Sequence, residues 1–342
     1  MKAVLLATLR AFDRKASPYA LRAFGERSGL LILLFHSLFL DRAEVEAGAV
    51  APQQGVTVDQ FRRIVDYYLE AGYAFASPDD VVAGLRPEGR HVLLTFDDGY
   101  YNNTRALPVL DALGVPALFF VSTRHVVDRK LFWWDALHRE AARRGVDPET
   151  VRRYKRTLKG GRTADAEAAI RAAFGPRSLE PTSDTDRPLT PDELRDFARE
   201  RRVFIGNHTA DHAILTNYTL EEVRAQIREC QETLAREAGV RPVCISYPNG
   251  NHSDDIARIA RAEGMLFGIT GISGKNALPL VLDGLSEMKL RRMVPYGTAG
   301  DRNLIEQCAA FRSDVSLYRV VKNAGHRQVS RRAGGQRAGG ST

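Results

Sequence analysis

Short apolar runs that end abruptly in polar residues recur along the chain, and they constrain its fold more than any other feature. In the most pronounced one, residues 92–96 are followed directly by Asp97, Asp98 and Gly99. A near-continuous apolar run is typical of a strand that is buried on both faces, as in parallel sheets covered by helices. Two neighbouring carboxylates repel each other unless a cation, a hydrogen-bond donor or water offsets their charge. The end of this run therefore predicts a metal site or an acid–base pair, with an Asp-Gly hairpin turn as the alternative.

Helical segments alternate with these runs. Capping boxes at 57–60 and 219–222, and Ser/Thr-Pro steps at 77–78 and 190–191, mark helix starts. Such alternation of strands and helices predicts an α/β fold, specifically a (β/α) barrel or a distorted relative of one. The strands that we predict are residues 30–35, 92–96, 117–121, 203–206, 243–247, 266–270 and 290–294.

The alternation stops between about 123 and 189. A structureless loop of this length would be unusual in a compact domain, so we predict an insertion with helices of its own over one face of the barrel. The barrel itself is expected to span residues 30–317. An N-terminal helical segment, 1–29, precedes it, and a basic, disordered tail, 318–342, follows it, because the end of the chain from about Ala324 is rich in Gly, Arg and Ser.

The formal charge of +7 is unevenly distributed over the 342 residues. No acidic residue follows Asp314, and nine Arg/Lys outnumber three acids between Arg139 and Arg162. Most charge runs are solvated helix faces, so we expect at most weak contacts of these segments with an anionic membrane or with phosphate groups, and no specific nucleic acid. Binding of nucleic acid through the basic tail is the alternative.

Cysteine spacing and hydropathy exclude other classes. The three cysteines lie far apart with no CxxC pair, which argues against a disulfide framework and a cysteine zinc site. No apolar segment reaches the ~18 residues that a membrane span needs. The first residues lack the pattern of a signal peptide. We therefore expect a cytoplasmic protein, with peripheral binding to the inner face of the membrane as the alternative.

Polar residues concentrate at the predicted strand ends. His36 follows the first strand, Asp97 and Asp98 follow the second, and His208 and His212 follow a later one. Barrel enzymes place their active sites at the carboxyl ends of the strands. The four-residue spacing of His208 and His212 allows two imidazoles to face one cation, and Asp98 would complete a two-histidine, one-carboxylate set with positions left for water and substrate.

An HxxxH pair by itself is often two surface histidines. A zinc peptidase would need HExxH or HxxEH, which the sequence HTADH does not match.

Three motifs together resemble the polysaccharide deacetylases of the NodB-homology type, the metal-dependent hydrolases of the carbohydrate esterase family 4 kind. The segment TFDDGY at 95–100 matches the first motif of that family, HTADH at 208–212 matches the second, and YPNG at 247–250 resembles the third. The resemblance covers roughly residues 30–294. It implies a deformed (β/α) barrel with the helical insertion inside it.

The resemblance implies a role for each matched residue. Asp97 would be the general base. Asp98, His208 and His212 would bind one divalent metal ion, zinc being expected first and cobalt, nickel or manganese being alternatives.

The third motif is expected to line the substrate groove. It comprises Tyr247, Pro248, Asn249 and Gly250, and the resemblance implies that the backbone N–H of Tyr247 stabilises the oxyanion.

The sequence departs from the family pattern at two positions. Many members carry an Arg where this chain has Ser246, and Arg292 could replace it by orienting the base. Many also have a C-terminal Leu-x-His motif that supplies the general acid, which this chain lacks. His36 could replace that acid, as in permuted members such as the poly-N-acetylglucosamine deacetylases. The alternatives are that His36 is only a packed strand-end residue and that His252 is the acid.

These roles imply a hydrolase that removes an acetyl group, N-acetyl rather than O-acetyl, from a sugar, an oligosaccharide or a lipid-linked sugar. The metal would polarise the carbonyl and lower the pKa of its water toward ~7. Asp97 would accept the proton of that water, and protonated His36 would donate to the leaving group. A deformylase on the same scaffold and a non-catalytic carbohydrate-binding barrel are the alternatives.

Overall fold

The computed structural model describes residues 2–282 and 284–323. Short strands alternate with helices over most of this length. The strands are β1 (Gly29–Phe35), β2 (Leu38–Phe39), β3 (Val56–Thr57), β4 (Ala74–Phe75), β5 (Arg90–Phe96), β6 (Ala117–Val121), β7 (Val203–Asn207), β8 (Cys244–Ser246) and β9 (Phe267–Ile269). The helices are α1 (Lys2–Phe24), α2 (Arg42–Ala47), α3 (Val58–Glu70), α4 (Pro78–Ala83), α5 (Leu107–Leu113), α6 (Thr123–Asp128), α7 (Trp133–Arg143), α8 (Pro148–Leu158), α9 (Thr163–Phe174), α10 (Pro191–Phe197), α11 (Leu220–Glu237), α12 (Asp254–Ala262) and α13 (Asp301–Arg312).

The main sheet is parallel and curls toward closure. Its strands lie in the order β1-β5-β6-β7-β8-β9, and β4 pairs with the start of β5. The predicted strand 290–294 is not a regular strand. Instead, Leu290 bridges to Ile269 of β9, and Met293 bridges to Leu33 of β1. This segment therefore spans the gap between the first and last strands, which confirms the predicted deformed (β/α) barrel.

Local sequence signals place the helices. Each of the four predicted starts is a complete capping box, in which the Ser or Thr side chain accepts from the backbone N–H three residues later and the side chain at that position bonds back. Apolar side chains on the helices then pack on the sheet. Phe61 of α3 lies edge-on to Phe35 and Phe96, with ring centroids 5.1 and 5.4 Å away, and Phe96 stacks on Phe119 at 4.7 Å. Burial of each ring contributes about 1.5–3 kcal/mol, so the strand ends that follow Phe35 and Phe96 are firmly held.

The region 123–189 contains the helices α6, α7, α8 and α9. It is anchored to the barrel through Asp135, which is buried. Tyr100 Oη donates to its carboxylate at 2.5 Å, and the backbone N–H of Ala51 donates at 2.9 Å. Within the insertion, the buried ion pair of Arg139 with Asp186, at 3.0 Å, joins α7 to the segment that leads back to the barrel. These contacts fix the insertion over the carboxyl end of β5.

Both ends of the described chain pack on the barrel. Lys15 of α1 pairs with Glu306 of α13 at 2.8 Å. The predicted disordered tail begins at residue 318, whereas residues 317–323 are helical. Asn323 donates to the carbonyl of Ser273 at 2.7 Å, which holds this turn against the barrel. Residues 324–342 of the predicted tail lie outside the described residues. Within the described ranges, no helix combines the length and the apolar character needed to cross a bilayer.

Candidate active site

The first and central strands bring His36 and the Asp97–Asp98 pair together. β1 and β5 are parallel neighbours in a register that places Phe35 beside Phe96, so the residues that follow them emerge at the same edge. The backbone N–H of Asp97 extends the ladder by donating to the carbonyl of Phe35 at 2.9 Å. Residues 61 positions apart in sequence thus line one end of the barrel because parallel strands align their carboxyl ends.

Asp98, His208 and His212 converge on one point. Oδ1 of Asp98 lies 3.4 Å from Nε2 of His208 and 3.4 Å from Nε2 of His212. His208 Nδ1 is 2.7 Å from the carbonyl of Ser246 and therefore carries the hydrogen, which leaves the lone pair of Nε2 directed at the cluster. Within the part of the chain that the structure describes, these three residues are the group whose geometry suits a metal ion.

The donor set fits a divalent cation. Both carboxylate oxygens of Asp98 are buried without a hydrogen-bond partner among the described residues, and such a charge is costly unless a cation offsets it. Ligands about 2.1 Å from one metal ion lie about 3.0–3.5 Å apart. Oδ1 of Asp98 is 3.4 Å from each histidine nitrogen, and all three ligand atoms lie within 4.8 Å of one another. Burial lowers the pKa of His212 well below its ordinary value, which keeps the imidazole in the neutral form that binds metals.

Asp97 has a different environment from Asp98. Arg292 Nη1 donates to its Oδ2 at 2.7 Å, Ser246 Oγ donates to the same oxygen at 3.1 Å, and Arg292 also donates to Ser246 at 3.0 Å. Burial raises the pKa of Asp97, but the charges of Arg292 and His208 outweigh it, so the pKa lies below its usual value. The carboxylate is thus ionised and oriented, and its Oδ1 is free of hydrogen bonds within the described chain.

A cavity of about 420 Å³ opens over these groups. Asp97, Asp98, His212 and Arg292 line it. Residues of the insertion also line it, among them Trp134, whose ring centroid is 4.5 Å from that of His212. A cavity of this size suits a sugar unit.

His36 lines the same cavity, whereas His252 does not. His36 Nδ1 is 2.9 Å from Oε1 of Gln54, which orients the ring and leaves Nε2 for a ligand. Burial lowers the pKa of His36, and the charges of Asp98 and Asp97 oppose that effect. His252 instead stacks on the buried ring of Tyr247, with centroids 5.9 Å apart.

The third motif does not supply the predicted oxyanion donor. The backbone N–H of Tyr247 donates to the carbonyl of Ile269 at 3.1 Å, so the prediction for this N–H is wrong. The reason is that Tyr247 continues the β8–β9 ladder beyond Ser246. Tyr247, Pro248 and Gly250 are buried outside the cavity, and of this motif only Asn249 lines it.

Backbone strain is concentrated at the cavity. Six non-glycine residues in the described ranges have positive φ, and four of them, Gln53, Asp98, His212 and Asn249, line this cavity. A left-handed backbone at a residue with a Cβ costs on the order of 1–3 kcal/mol and persists where the surroundings impose it. Strain at Asp98 and His212 indicates that the fold fixes their orientation.

The sequence did not predict that several further residues line the cavity. Gln54 and Trp134 carried no motif signal. Lys155 and Lys159 belong to the basic cluster between Arg139 and Arg162, but the sequence alone does not show that they line the active-site cavity. Their spacing of four residues on a helix was the available signal.

Comparisons with known proteins agree with this geometry. Residues 84–268 match the sequence profile of the polysaccharide deacetylase family. Comparison with curated protein sequences found no match. Similar solved structures include the Streptococcus pyogenes deacetylase PplD in complex with acetate, which is 18% identical, with a TM-score of 0.55 over 82% of this chain and 99% of that one.

Two further structures share the fold. IcaB from Ammonifex degensii is 17% identical, with a TM-score of 0.54 over 83% of this chain and 98% of its own. A de-N-acetylase from Aggregatibacter actinomycetemcomitans is 15% identical, with a TM-score of 0.54 over 81% and 99%. At these identities the likeness establishes the fold, and the profile match over more than half of the chain establishes the family. The chain therefore belongs to the polysaccharide deacetylases, hydrolases that cleave acetyl groups from sugars at amide or ester bonds.

Proposed function

We propose that this chain is a divalent-metal-dependent N-deacetylase of an acetamido sugar. The observation that carries the proposal is the pairing of two carboxylates with opposite surroundings. Asp98 has no hydrogen-bond partner among the described residues and faces two histidine nitrogens at 3.4 Å, whereas Asp97 beside it is held by Arg292 and Ser246. One carboxylate suits metal binding and the other suits proton transfer.

Asp98, His208 and His212 would hold the metal ion, with zinc as the first candidate because nitrogen and carboxylate ligands in a set of three are typical of catalytic zinc. When bound, the ion supplies a Lewis acid that polarises the acetyl carbonyl and acidifies water. His208 is held in the required tautomer by the carbonyl of Ser246. The strained backbone at Asp98 and His212 orients the other two ligands.

Asp97 would act as the general base. Its pKa lies below the ordinary value, so the carboxylate is ionised at neutral pH. Arg292 and Ser246 both bond to Oδ2, which leaves Oδ1 to accept the proton of the attacking water. A base with one oxygen fixed and the other free is well placed for such a transfer.

His36 would act as the general acid. An amine leaves poorly unless its nitrogen is protonated, so an amide substrate needs a proton donor on the leaving-group side. His36 lines the cavity beside the carboxylates, and Gln54 fixes its ring. This need favours an N-acetyl over an O-acetyl substrate, and a similar structure being a de-N-acetylase also supports it.

The direct test is release of acetate from a panel of N-acetylated and O-acetylated sugars. The purified chain would be assayed as isolated, after chelation, and after addition of Zn²⁺, Co²⁺, Ni²⁺ or Mn²⁺. We expect acetate from an N-acetylated sugar, loss with chelator and recovery with one of the metals. Undiminished turnover after verified removal of all metal would refute the proposal, and preferential release from O-acetylated sugars would refute its amide part.

A further inference from the structure

The insertion places two lysines on the wall of the active-site cavity. Lys155 is in the last turn of α8, and Lys159 is its C-terminal capping residue. Side chains four residues apart on a helix lie on one face, and both of these line the cavity together with Asp98. Two positive charges thus adjoin the site where the sugar would bind.

Neither lysine forms an ion pair among the described residues. The ion pairs of the structure include no carboxylate within 4.0 Å of Lys155 or Lys159. Lys159 Nζ donates to the neutral Oδ1 of Asn249 at 2.6 Å, and Lys155 Nζ makes no hydrogen bond within the described chain. Both side chains are nevertheless half-buried.

Other shielded cations of the insertion are paired. Arg139 bonds to Asp186 at 3.0 Å, and Lys130 bonds to Glu167 at 3.0 Å. Burying an ammonium group is unfavourable unless an anion compensates it. Lys155 and Lys159 lack such a paired anion, which suggests that a bound ligand supplies the compensating negative charge.

The electrostatics of the pair support this view. Burial and the charge of Lys155 together lower the pKa of Lys159 to about 8, against the attraction of Asp98. Burial also lowers the pKa of Lys155, against the attraction of Asp135 and Asp98. The ammonium groups thus repel each other in a partly shielded space. An interaction with the carbonyls at the end of α8 would favour lysines there, but it does not explain why both face the cavity.

We infer that Lys155 and Lys159 bind a phosphate group of the substrate, so that the enzyme deacetylates a phosphorylated acetamido sugar. This inference rests on the proposed deacetylation. Phosphate is favoured over carboxylate because a phosphate monoester carries about −1.5 to −2 at neutral pH, which matches two ammonium groups. Its oxygens can accept from both lysines at once. The phosphate could belong to a soluble sugar phosphate or to the diphosphate headgroup of a lipid-linked sugar, whose two phosphate groups together carry a comparable charge.

Kinetics on matched substrates test the inference. With the metal-loaded full chain, kcat/KM for acetate release would be compared between N-acetylglucosamine and its 1-phosphate and 6-phosphate. We expect one phosphate ester to exceed the neutral sugar by roughly 10- to 100-fold, as charge-assisted hydrogen bonds allow. Lys155→Gln and Lys159→Gln should each lower the ratio of phosphorylated to neutral kcat/KM by about tenfold. Lys155→Arg keeps the positive charge and should retain most of the preference for the phosphorylated sugar.

The matched control is Arg156→Gln. It removes one charge from the same helix on its exposed side, and the ratio should not change. Equal losses in Arg156→Gln and Lys155→Gln would show a general field effect and overturn the inference. A preference for N-acetylmuramic acid, a carboxylated sugar, over both phosphate esters would overturn it as well. No acetate from any sugar would instead refute the proposed function.

Phosphate binding provides a readout independent of turnover. Titration calorimetry of inorganic phosphate into the chelated protein should show binding that Lys159→Gln weakens about tenfold. Binding of equal strength in that variant would contradict the assignment. Comparing N-acetylglucosamine 1-phosphate with the same sugar on a polyprenyl diphosphate in detergent micelles identifies the source. A higher kcat/KM for the lipid-linked sugar would identify the headgroup as the source of the phosphate. Equal or lower values would identify a soluble sugar phosphate. Either outcome supports the phosphate site.

Discussion

Arg292 Nη1 donates a hydrogen bond of 2.7 Å to Oδ2 of Asp97, although 195 positions separate the two residues in sequence. The contact exists because residues 290–293 bridge the last and first strands and so bring Arg292 across the barrel end toward β5. A position that carries Arg in many family members is Ser246 here, and Ser246 joins the same network by accepting from Arg292 and donating to Asp97. These contacts are consistent with the prediction that Arg292 replaces that Arg and orients Asp97.

We predict that Arg292→Gln shifts the pH dependence of deacetylation. The guanidinium holds the pKa of Asp97 below its ordinary value, so its removal raises that pKa and the base is protonated over a wider acidic range. The acidic limb of kcat/KM should therefore move to higher pH, with larger losses at pH 6 than at pH 8. A pH–rate profile measures the shift. Arg291→Gln, at the exposed neighbouring position, is the control, and an unmoved limb in Arg292→Gln would argue against this role.

Metal content should separate the roles of the two carboxylates. His208→Ala removes a proposed ligand, so the metal-to-protein ratio measured by mass spectrometry and the turnover should fall together. Asp97→Asn should retain the metal and lose about 10²–10⁴ in kcat, the usual contribution of general acid–base groups. Comparable metal loss in both variants would contradict the division of roles.

Replacement of His36 should affect substrates according to their leaving groups. His36→Ala is expected to lower kcat on an N-acetylated sugar by about 10²–10⁴ while metal content stays the same. An aryl acetate has a leaving group that needs little protonation, so its hydrolysis should fall much less. His252→Ala is the comparison, because His252 stacks on Tyr247 outside the cavity. The reverse ranking of the two variants would identify His252 as the acid.

Asp135 should make stability depend on pH. Burial raises the pKa of Asp135 to about 7, against hydrogen bonds from Tyr100 and Ala51 that favour the ionised form. The folded state therefore keeps this proton between about pH 4 and 7, where the unfolded chain loses it. The contribution to stability is complete below about pH 4 and is lost as the pH rises through 7.

Asp135→Asn removes this titration. Its Oδ1 can accept from Ala51, and its Nδ2 can donate to Tyr100 Oη. The free energy of unfolding of the variant, relative to the unsubstituted protein, should therefore increase by roughly 1–3 kcal/mol between pH 5 and pH 7.5. Urea denaturation at the two pH values provides the measurement. A difference that is independent of pH would show that Asp135 does not titrate in this range.

Local sequence signals were enough to predict the helices, the strands and the candidate metal-binding group. Apolar runs and capping boxes are local signals, so strands such as Ala117–Val121 and the start of α3 at Thr57 were predicted closely. Polar residues at strand ends follow from the same pattern. Because parallel strands align their carboxyl ends, sequence reasoning could also predict that Asp98, His208 and His212 lie near one another.

The way in which residues from distant segments share the site depends on long-range packing. The segment 290–293 has too few ladder contacts to form a strand, yet its two bridges close the barrel and carry Arg292 to Asp97. The backbone N–H of Tyr247 donates to a carbonyl of β9, and the sequence motif contains no information about this pairing. Likewise, the basic cluster of the insertion was visible as composition, but which lysines face the cavity depends on how α8 packs over the barrel. Such contacts depend on packing between residues that are far apart in sequence, so local sequence patterns cannot predict them.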